Sequence, residues 1–304
     1  ASKRLTGRAM NDDEFSAELR DGDGNLLQSK AFVHKDGDKV GEGSLSFESL
    51  KFDRAGVYTY TVGETQGQAG GVTYDATVHT VTITVTENTA RHALTATTVY
   101  SNGKAKENGI RFDNTYQPED VTVGLTAHKT MTGRGLKADE FEFELVDEDG
   151  KVLDTVKNDE NGDIEFQPLT YRRDNDGADD TGEHRYVIRE KNTGEKNVTY
   201  DKTEHHVTVT VSDNLQGSLT AKVEYDPADD SVKDSSTMLV TPTAKADKTD
   251  GDAGEDENNP TTTPSMVTTT GTLPEFTNSY IPPVTPAIVK AVRQLAQTGV
   301  NTPI

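Results

Sequence analysis

The chain has no cysteine, no tryptophan and few basic residues, and each shortage removes a class of explanation. Without cysteine, neither a disulfide nor a thiolate-bound metal can support the fold. Lys and Arg number 31 against 52 Asp and Glu, and the resulting formal charge of −21 argues against nucleic acid and anionic membrane surfaces, both of which select clustered cations. No signal peptide opens the sequence, and no apolar run approaches the roughly 20 residues of a membrane helix. Hydrophobic residues make up 32% and aromatics 6%, too thin for one large core in 304 residues. With abundant Thr and Val and 26 Gly, this composition suits short strands and many turns arranged in two modest domains.

What is present is a duplication. Lys3 opens KRLTGRAMNDDEFSAEL and Lys129 opens KTMTGRGLKADEFEFEL, an offset of 126 (129 − 3). The same offset carries Glu64, in YTVGE, onto Glu190, in YVIRE, and Tyr74 onto Tyr200 in GVTYD and NVTYD. Each half closes on a near-identical phrase, FDNTY with Asn114 and FTNSY with Asn278. Between those asparagines the spacing is 164 (278 − 114), so the second repeat carries an insertion before its last strand.

The expected organisation is therefore a first β domain over 1–117, a second over 118–283 with a disordered insertion at about 228–272, and a Pro-rich linker over 284–304. The first repeat reads as seven short strands, at 14–19, 25–33, 43–52, 56–64, 79–87, 93–101 and 110–116, in the manner of an antiparallel β-sandwich. TVTITVT alternates with period two, which puts Val81, Ile83 and Val85 on one face. The insertion is rich in Asp, Thr, Pro and Gly and cannot bury much apolar surface. Lys129 is preceded by the alternating strand TVGLTAH whereas Lys3 has only Ala1 and Ser2 before it, so the first repeat is expected to lack part of its opening strand through trimming.

An amine, a carboxyl and a carboxamide kept in register inside apolar strands point to a reaction between them. Burial disfavours charge, so it lowers a lysine pKa and raises that of a glutamic acid. Glu64 or Glu190, held protonated, can then hydrogen-bond the amide oxygen and shuttle a proton while the lysine attacks and ammonia leaves. Rigid strands supply the proximity. Lys3 with Asn114, and Lys129 with Asn278, would each become an isopeptide cross-link, with Glu64 and Glu190 as the catalytic groups of a single turnover. Closing a loop of about 100 residues is worth roughly 5 kcal/mol on the chain-entropy account. Taken singly, each residue is an ordinary strand lysine, glutamate or turn asparagine; a triplet recurring in register is not.

The phrases K-x-L/M-T-G-R, D-E-F-x-F/A-E-L, V/I-x-E, G/N-V-T-Y-D and F-x-N-T/S-Y resemble the isopeptide-forming pilin linkage domains of Gram-positive bacteria, of the streptococcal major-pilin type, over roughly residues 1–281. The resemblance implies two tandem Ig-like sandwiches related to the B-type repeats of collagen-binding adhesins, with the two Lys, Glu and Asn sets as bond-forming sites. In the tail, Leu295, Ala296, Gln297, Thr298 and Gly299 resemble the LPxTG sorting signal with Ala in place of Pro. By that resemblance a sortase would attack after Thr298 and pass the chain to a neighbouring pilin subunit or to peptidoglycan. The hydrophobic segment and basic tail that normally follow are absent, as expected if the chain is truncated before them.

Other signals are weaker. DGDG at 21–24 and DEDG at 147–150 lack the terminal glutamate of a calcium loop and read as hairpin turns. His205 and His206 are adjacent on a strand and face opposite sides, so they cannot chelate one metal together. No metal and no cofactor is expected, and no Ser, His and Asp set or phosphate-binding glycine loop stands out. The reading is a structural protein of the Gram-positive surface, a pilin or adhesin stalk that is extracellular and anchored to the cell wall. The alternatives are an adhesin that binds a host surface ligand through its insertion, or an accessory module of a secreted enzyme.

Overall fold

A computed structural model describes residues 1–35, 37–89, 93–101, 109–226, 238–240 and 265–283. These residues form strands and turns and contain no helix. The first repeat contributes β1 (Ser2–Thr6), β2 (Ser16–Arg20), β3 (Leu26–Ala31), β4 (Glu42–Ser44), β5 (Gly56–Glu64), β6 (Val72–Thr73), β7 (Val78–Asn88), β8 (Ala93–Ser101) and β9 (Arg111–Tyr116). They make two sheets, ordered β3-β2-β5-β7-β8 and β4-β1-β9-β6. The second repeat contributes β10 (Val121–Val123), β11 (Thr126–Thr132), β12 (Glu142–Asp147), β13 (Val152–Lys157), β14 (Asp163–Glu165), β15 (Leu169–Tyr171), β16 (Gly182–Lys191), β17 (Val198–Thr199), β18 (Glu204–Asp213), β19 (Leu219–Tyr225), β20 (Met238–Val240), β21 (Val267–Thr270) and β22 (Glu275–Tyr280). Its sheets run β13-β12-β16-β18-β19-β21-β20 and β14-β11-β22-β17, with β10 and β15 as a separate pair.

Alternation builds both cores. In β18, Val207, Val209 and Val211 are buried while Thr208 and Thr210 lie at the margin, as a half-buried strand of period two requires. Leu5, Phe15, Ala17, Phe32, Val62 and Phe112 gather in one apolar cluster, and Phe141, Phe143, Ile164, Ile188, Val209 and Phe276 in another. Fully burying each larger side chain contributes about 1.5–3 kcal/mol, so the cores hold even though each is small.

Most neighbouring strands are antiparallel, but three pairs are parallel: β1 with β9, β11 with β22, and β19 with β21. The first two join the lysine-bearing strand near the start of each repeat to its closing strand, so the chain enters at one end and leaves at the other. Two sequence expectations need correction. Of the strand expected over 43–52 only residues 43 and 44 are strand, as part of Glu42–Ser44, and residues 45–52 are irregular. The insertion expected to be disordered over 228–272 contains β21, whose Val267 is buried and which pairs with β19 and β20. The average composition of a long polar segment hid four β-branched residues able to extend an open sheet edge. Residues 227–237 and 241–264 lie outside the described ones.

The repeated T-G-R, D-E and F-x-N-x-Y phrases find one structural cause. After β1 the chain turns at Gly7 (φ +95°), where a Cβ would sit 2.1 Å from the carbonyl oxygen of Tyr116; Gly133 (φ +83°) stands likewise 2.3 Å from that of Tyr280. The next residue, Arg8 or Arg134, pairs with Glu14 or Glu140 and lies over the ring of Tyr116 or Tyr280, at 4.9 and 5.2 Å from the centroid. The turn is thereby pinned to the strand that carries the asparagine. The Asp21 and Asp147 sites are turns: each carboxylate accepts backbone N–H groups from its own loop.

Gly133→Ala is expected to lower the stability of the second repeat by more than about 1 kcal/mol, because the left-handed φ and the backbone clash act together. Urea denaturation followed by circular dichroism reads this, and an unchanged midpoint would show that the turn tolerates a side chain.

Candidate functional site

Strand register brings the lysine and the asparagine of each repeat together. Lys3 pairs with Phe112 and Leu5 with Asn114, so Lys3 and Asn114 lie two positions apart on adjacent parallel strands. Side chains two apart share a face, and this face is the core: Lys3 and Asn114 are each 1% exposed. In the second repeat Lys129 pairs with Phe276 and Met131 with Asn278, giving the same diagonal and the same burial. Glu64 ends β5 and Glu190 lies near the end of β16, both in the facing sheet, where they pair with Ala17 and Phe143. Each reaches across the space between the layers.

The contacts close around the carboxyl. Lys3 Nζ lies 2.6 Å from Glu64 Oε1, and Asn114 Nδ2 donates to the same oxygen at 3.0 Å. Lys129 Nζ donates to Glu190 Oε2 at 2.9 Å, and Asn278 Nδ2 donates to Glu190 Oε1 at 2.7 Å. In both repeats one carboxyl group bridges the amine and the carboxamide nitrogen. All four lysine and glutamate side chains are fully enclosed. Lys3 Nζ approaches Glu64 off the axis of a good hydrogen bond, and Glu64 Oε2 has no partner.

One sequence expectation is wrong in detail. The glutamate was expected to hold the amide oxygen, but the oxygen faces a backbone donor instead. Asn114 Oδ1 accepts the N–H of Asp75, and Asn278 Oδ1 accepts that of Asp201, each at 2.7 Å. The cause is β6 and β17, two-residue strands that pair antiparallel with β9 and β22 and deliver the following N–H to the asparagine side chain. The carboxyl is left with the nitrogen.

The surroundings are dry and aromatic. Lys3 Nζ sits 4.8 Å from the Phe15 ring centroid, and Lys129 Nζ sits 4.9 Å from Phe141 and 5.8 Å from Phe143. Burial pulls both lysines below the usual amine range, with the neighbouring glutamate only partly restoring them. Burial likewise pushes both glutamates above the usual carboxyl range, against the opposing pull of the lysine. Both shifts favour the uncharged pair. Asp75 and Asp201 behave differently. Burial would raise them, but hydrogen bonds from Thr77 and the Asp113 N–H, or from Thr203 and the Thr277 N–H, outweigh it and hold them low.

Phe15, Phe141, Asp75 and Asp201 are site residues that the sequence argument passed over. Their signal was present, since they belong to the repeated D-E-F and T-Y-D phrases, but nothing in one strand's pattern shows which ring covers an amine on another sheet. Leu295, Ala296, Gln297, Thr298 and Gly299 lie outside the described residues. No cluster of metal-ligating side chains occurs among the described residues.

The family model of FctA, described as the Spy0128-like isopeptide containing domain, matches residues 1–117 and again 125–281. Among solved structures the chain is similar to the major pilin of Streptococcus pyogenes, at 18% identity over 92% of this chain and 97% of that one, with a TM-score of 0.33. It is also similar to the T-13 major pilin protein of the same organism, at 16% identity over 92% and 96% with a TM-score of 0.31. A third is the pilus adhesin SpaC of Lactobacillus rhamnosus GG, at 11% identity over 93% of this chain and 32% of that one, with a TM-score of 0.25. A search of curated proteins found no match.

Replacing Lys3 by Met leaves Glu64 buried without its cation, so its pKa is expected to rise further above the ordinary 4.5. A carboxyl whose folded pKa exceeds its unfolded one stabilises fully below 4.5, and that stability is lost as pH rises through the folded value. Urea midpoints of Lys3→Met should therefore fall from acid to neutral pH more steeply than those of the unsubstituted chain. Parallel pH profiles would show that Glu64 is solvated.

Proposed function

We propose, from the premise that this chain belongs to the family of Spy0128-like isopeptide containing domains, that it is a pilin or stalk protein of the Gram-positive surface whose two repeats, over 1–117 and 118–283, each lock themselves with a Lys to Asn isopeptide bond. The observation that carries the reading is that one buried carboxyl touches both a buried amine on an early strand and a buried carboxamide on the closing strand, once in each repeat.

The chemistry follows from the contacts. An uncharged Lys3 has a free lone pair and attacks Cγ of Asn114. Glu64, protonated, gives its proton to the departing Nδ2 and takes one from the attacking Nζ, so that ammonia leaves and the carboxyl returns to its starting state. One C–N bond forms and one breaks. Glu190 performs the same exchange for Lys129 and Asn278, with one oxygen on each nitrogen. Proximity held by strand register replaces an external catalyst. No cofactor enters, and the reaction occurs once per repeat, so the protein is not a turnover enzyme.

A bond between the opening and closing strands carries tension past the interior of the repeat. This fits a stalk whose subunits are joined end to end. Leu295–Ala296–Gln297–Thr298–Gly299 serves as the sorting signal on this reading, with Thr298 the residue that a sortase transfers to a neighbouring subunit or to peptidoglycan.

Intact-mass measurement tests the core of the proposal. The full chain should weigh less than its sequence by two ammonia molecules, and Glu64→Ala and Glu190→Ala should each restore one. A chain at its full sequence mass would refute the cross-links.

A further inference from the structure

Resting on the bond-forming reading, we propose that the backbone N–H of Asp75 in the first repeat, and of Asp201 in the second, is the oxyanion donor of the reaction, and that each aspartate carboxylate is the positioning group that aims it.

When Nζ bonds to Cγ, the carbonyl π electrons move onto Oδ1, and this oxygen carries the negative charge of the tetrahedral intermediate. It collapses as the C=O re-forms and Nδ2 departs as ammonia. The glutamate serves the two nitrogens and has no contact with this oxygen. What does touch it, before reaction, is one N–H at 2.7 Å in each repeat. A fixed donor in a water-excluded site stabilises developing charge far more than water would, and removing one such donor typically slows a reaction by about 10²–10³. Among the described residues both asparagine side chains are buried to 1% exposure or less, so solvent cannot substitute.

The aspartate side chains explain how a single N–H is held in line. The antiparallel ladder of β6 with β9 runs through Val72 opposite Tyr116 and Thr73 opposite Thr115. Two steps on, regular pairing has given way to side-chain bonds: Asp75 Oδ2 accepts the Asp113 N–H at 3.0 Å and Asp75 Oδ1 accepts the Thr77 N–H at 2.9 Å. Asp201 does the same with Thr277 at 2.8 Å and Thr203 at 2.9 Å. The residue before the asparagine is therefore clamped by the very aspartate whose N–H meets the asparagine oxygen. Tyr74 and Tyr200 hold the other side of this loop, their hydroxyl oxygens accepting the N–H groups of Ala69 and Glu195. This gives a chemical reason for the repeated T-Y-D phrase.

The direct test is a semisynthetic full chain in which the peptide bond between Tyr74 and Asp75 is an ester, which deletes one N–H and leaves every side chain. After refolding, ammonia loss is followed by time-resolved intact mass with peptide mapping of each cross-link, so that the second repeat serves as the clock for the first. The expected result is a first-repeat reaction slowed about 100-fold relative to the second. An unchanged ratio would overturn the proposal. Should the ester chain fail to refold, Asp75→Ala carries the test: it should slow the first repeat alone, and Asp75→Asn, which keeps an acceptor for the Asp113 N–H, should recover part of the rate. Asp75→Ala reacting at the unsubstituted rate would equally overturn it. The two readings fail separately: an unsubstituted chain that loses no ammonia sinks the cross-links, whereas one that loses two beside an unslowed ester chain sinks the oxyanion role alone.

Discussion

The structure depends on an amine, a carboxyl and a carboxamide packed against one another where no water reaches them. As ions, Lys3 and Glu64 would each forfeit several kcal/mol of hydration, and their attraction seldom repays that in full. In the first repeat Nζ lies off the axis of a good hydrogen bond and Glu64 Oε2 has no partner, whereas in the second both Glu190 oxygens are bonded, one to each nitrogen. On the proposed reading this cost is the source of reactivity. Burial holds the lysine as a nucleophile and the glutamic acid as a proton donor, states that solvent would reverse. A residue set that is a poor stabiliser as a salt bridge becomes a good one once it is a covalent bond.

Where the set sits decides what such a bond could do. β1 and β9 are parallel, so the repeat is entered at one end and left at the other, and the lysine and asparagine lie on these two strands. Two residues past Asn114, Tyr116 reaches into the second repeat: its hydroxyl donates to Asp213 at 2.7 Å and accepts the Gly217 N–H at 3.2 Å. Burial and that carboxylate push the phenol up to about 12. Arg173 binds the same Asp213 and donates to the Gly7 carbonyl at 2.8 Å. The strand that bears the candidate cross-link is thus also the strand that anchors one repeat to the next, and the lack of cysteine leaves this connection to hydrogen bonds and charge.

Strand periodicity and the duplicated phrases were enough to read the all-β fold, the two repeats and the three residues that meet in each site. Period-two alternation forces Lys3 and Asn114 to the same side as Leu5 and Phe112, and a common offset ties Glu64 to Glu190. What stayed hidden depended on pairing between distant strands. That β1 and β9 are parallel, that Phe15 covers the amine, and that an Asp75 N–H rather than Glu64 meets the amide oxygen are facts of register and loop path, which one strand's sequence does not encode. β21 was missed for a different reason. Four residues able to pair with an exposed edge are drowned by the polar composition around them.

The two repeats differ most where the site does not reach. In β19, which β21 flanks in its sheet, Leu219 and Tyr225 are 0% and 5% exposed; their counterparts in β8, the edge of its sheet, are Leu94 and Tyr100, at 39% and 43%. A large part of the periphery has diverged, yet the carboxyl contacts span only 2.6 to 3.0 Å across both sites and the carboxamide oxygens both stand 2.7 Å from their donors. The geometry must therefore be set locally. Three short pieces suffice: a parallel pair that fixes the lysine against the asparagine, the end of a facing strand that delivers the glutamate, and a two-residue strand that aims one N–H. These are the segments in which the duplicated phrases persist, and a shared site chemistry accounts for their persistence better than a shared core does.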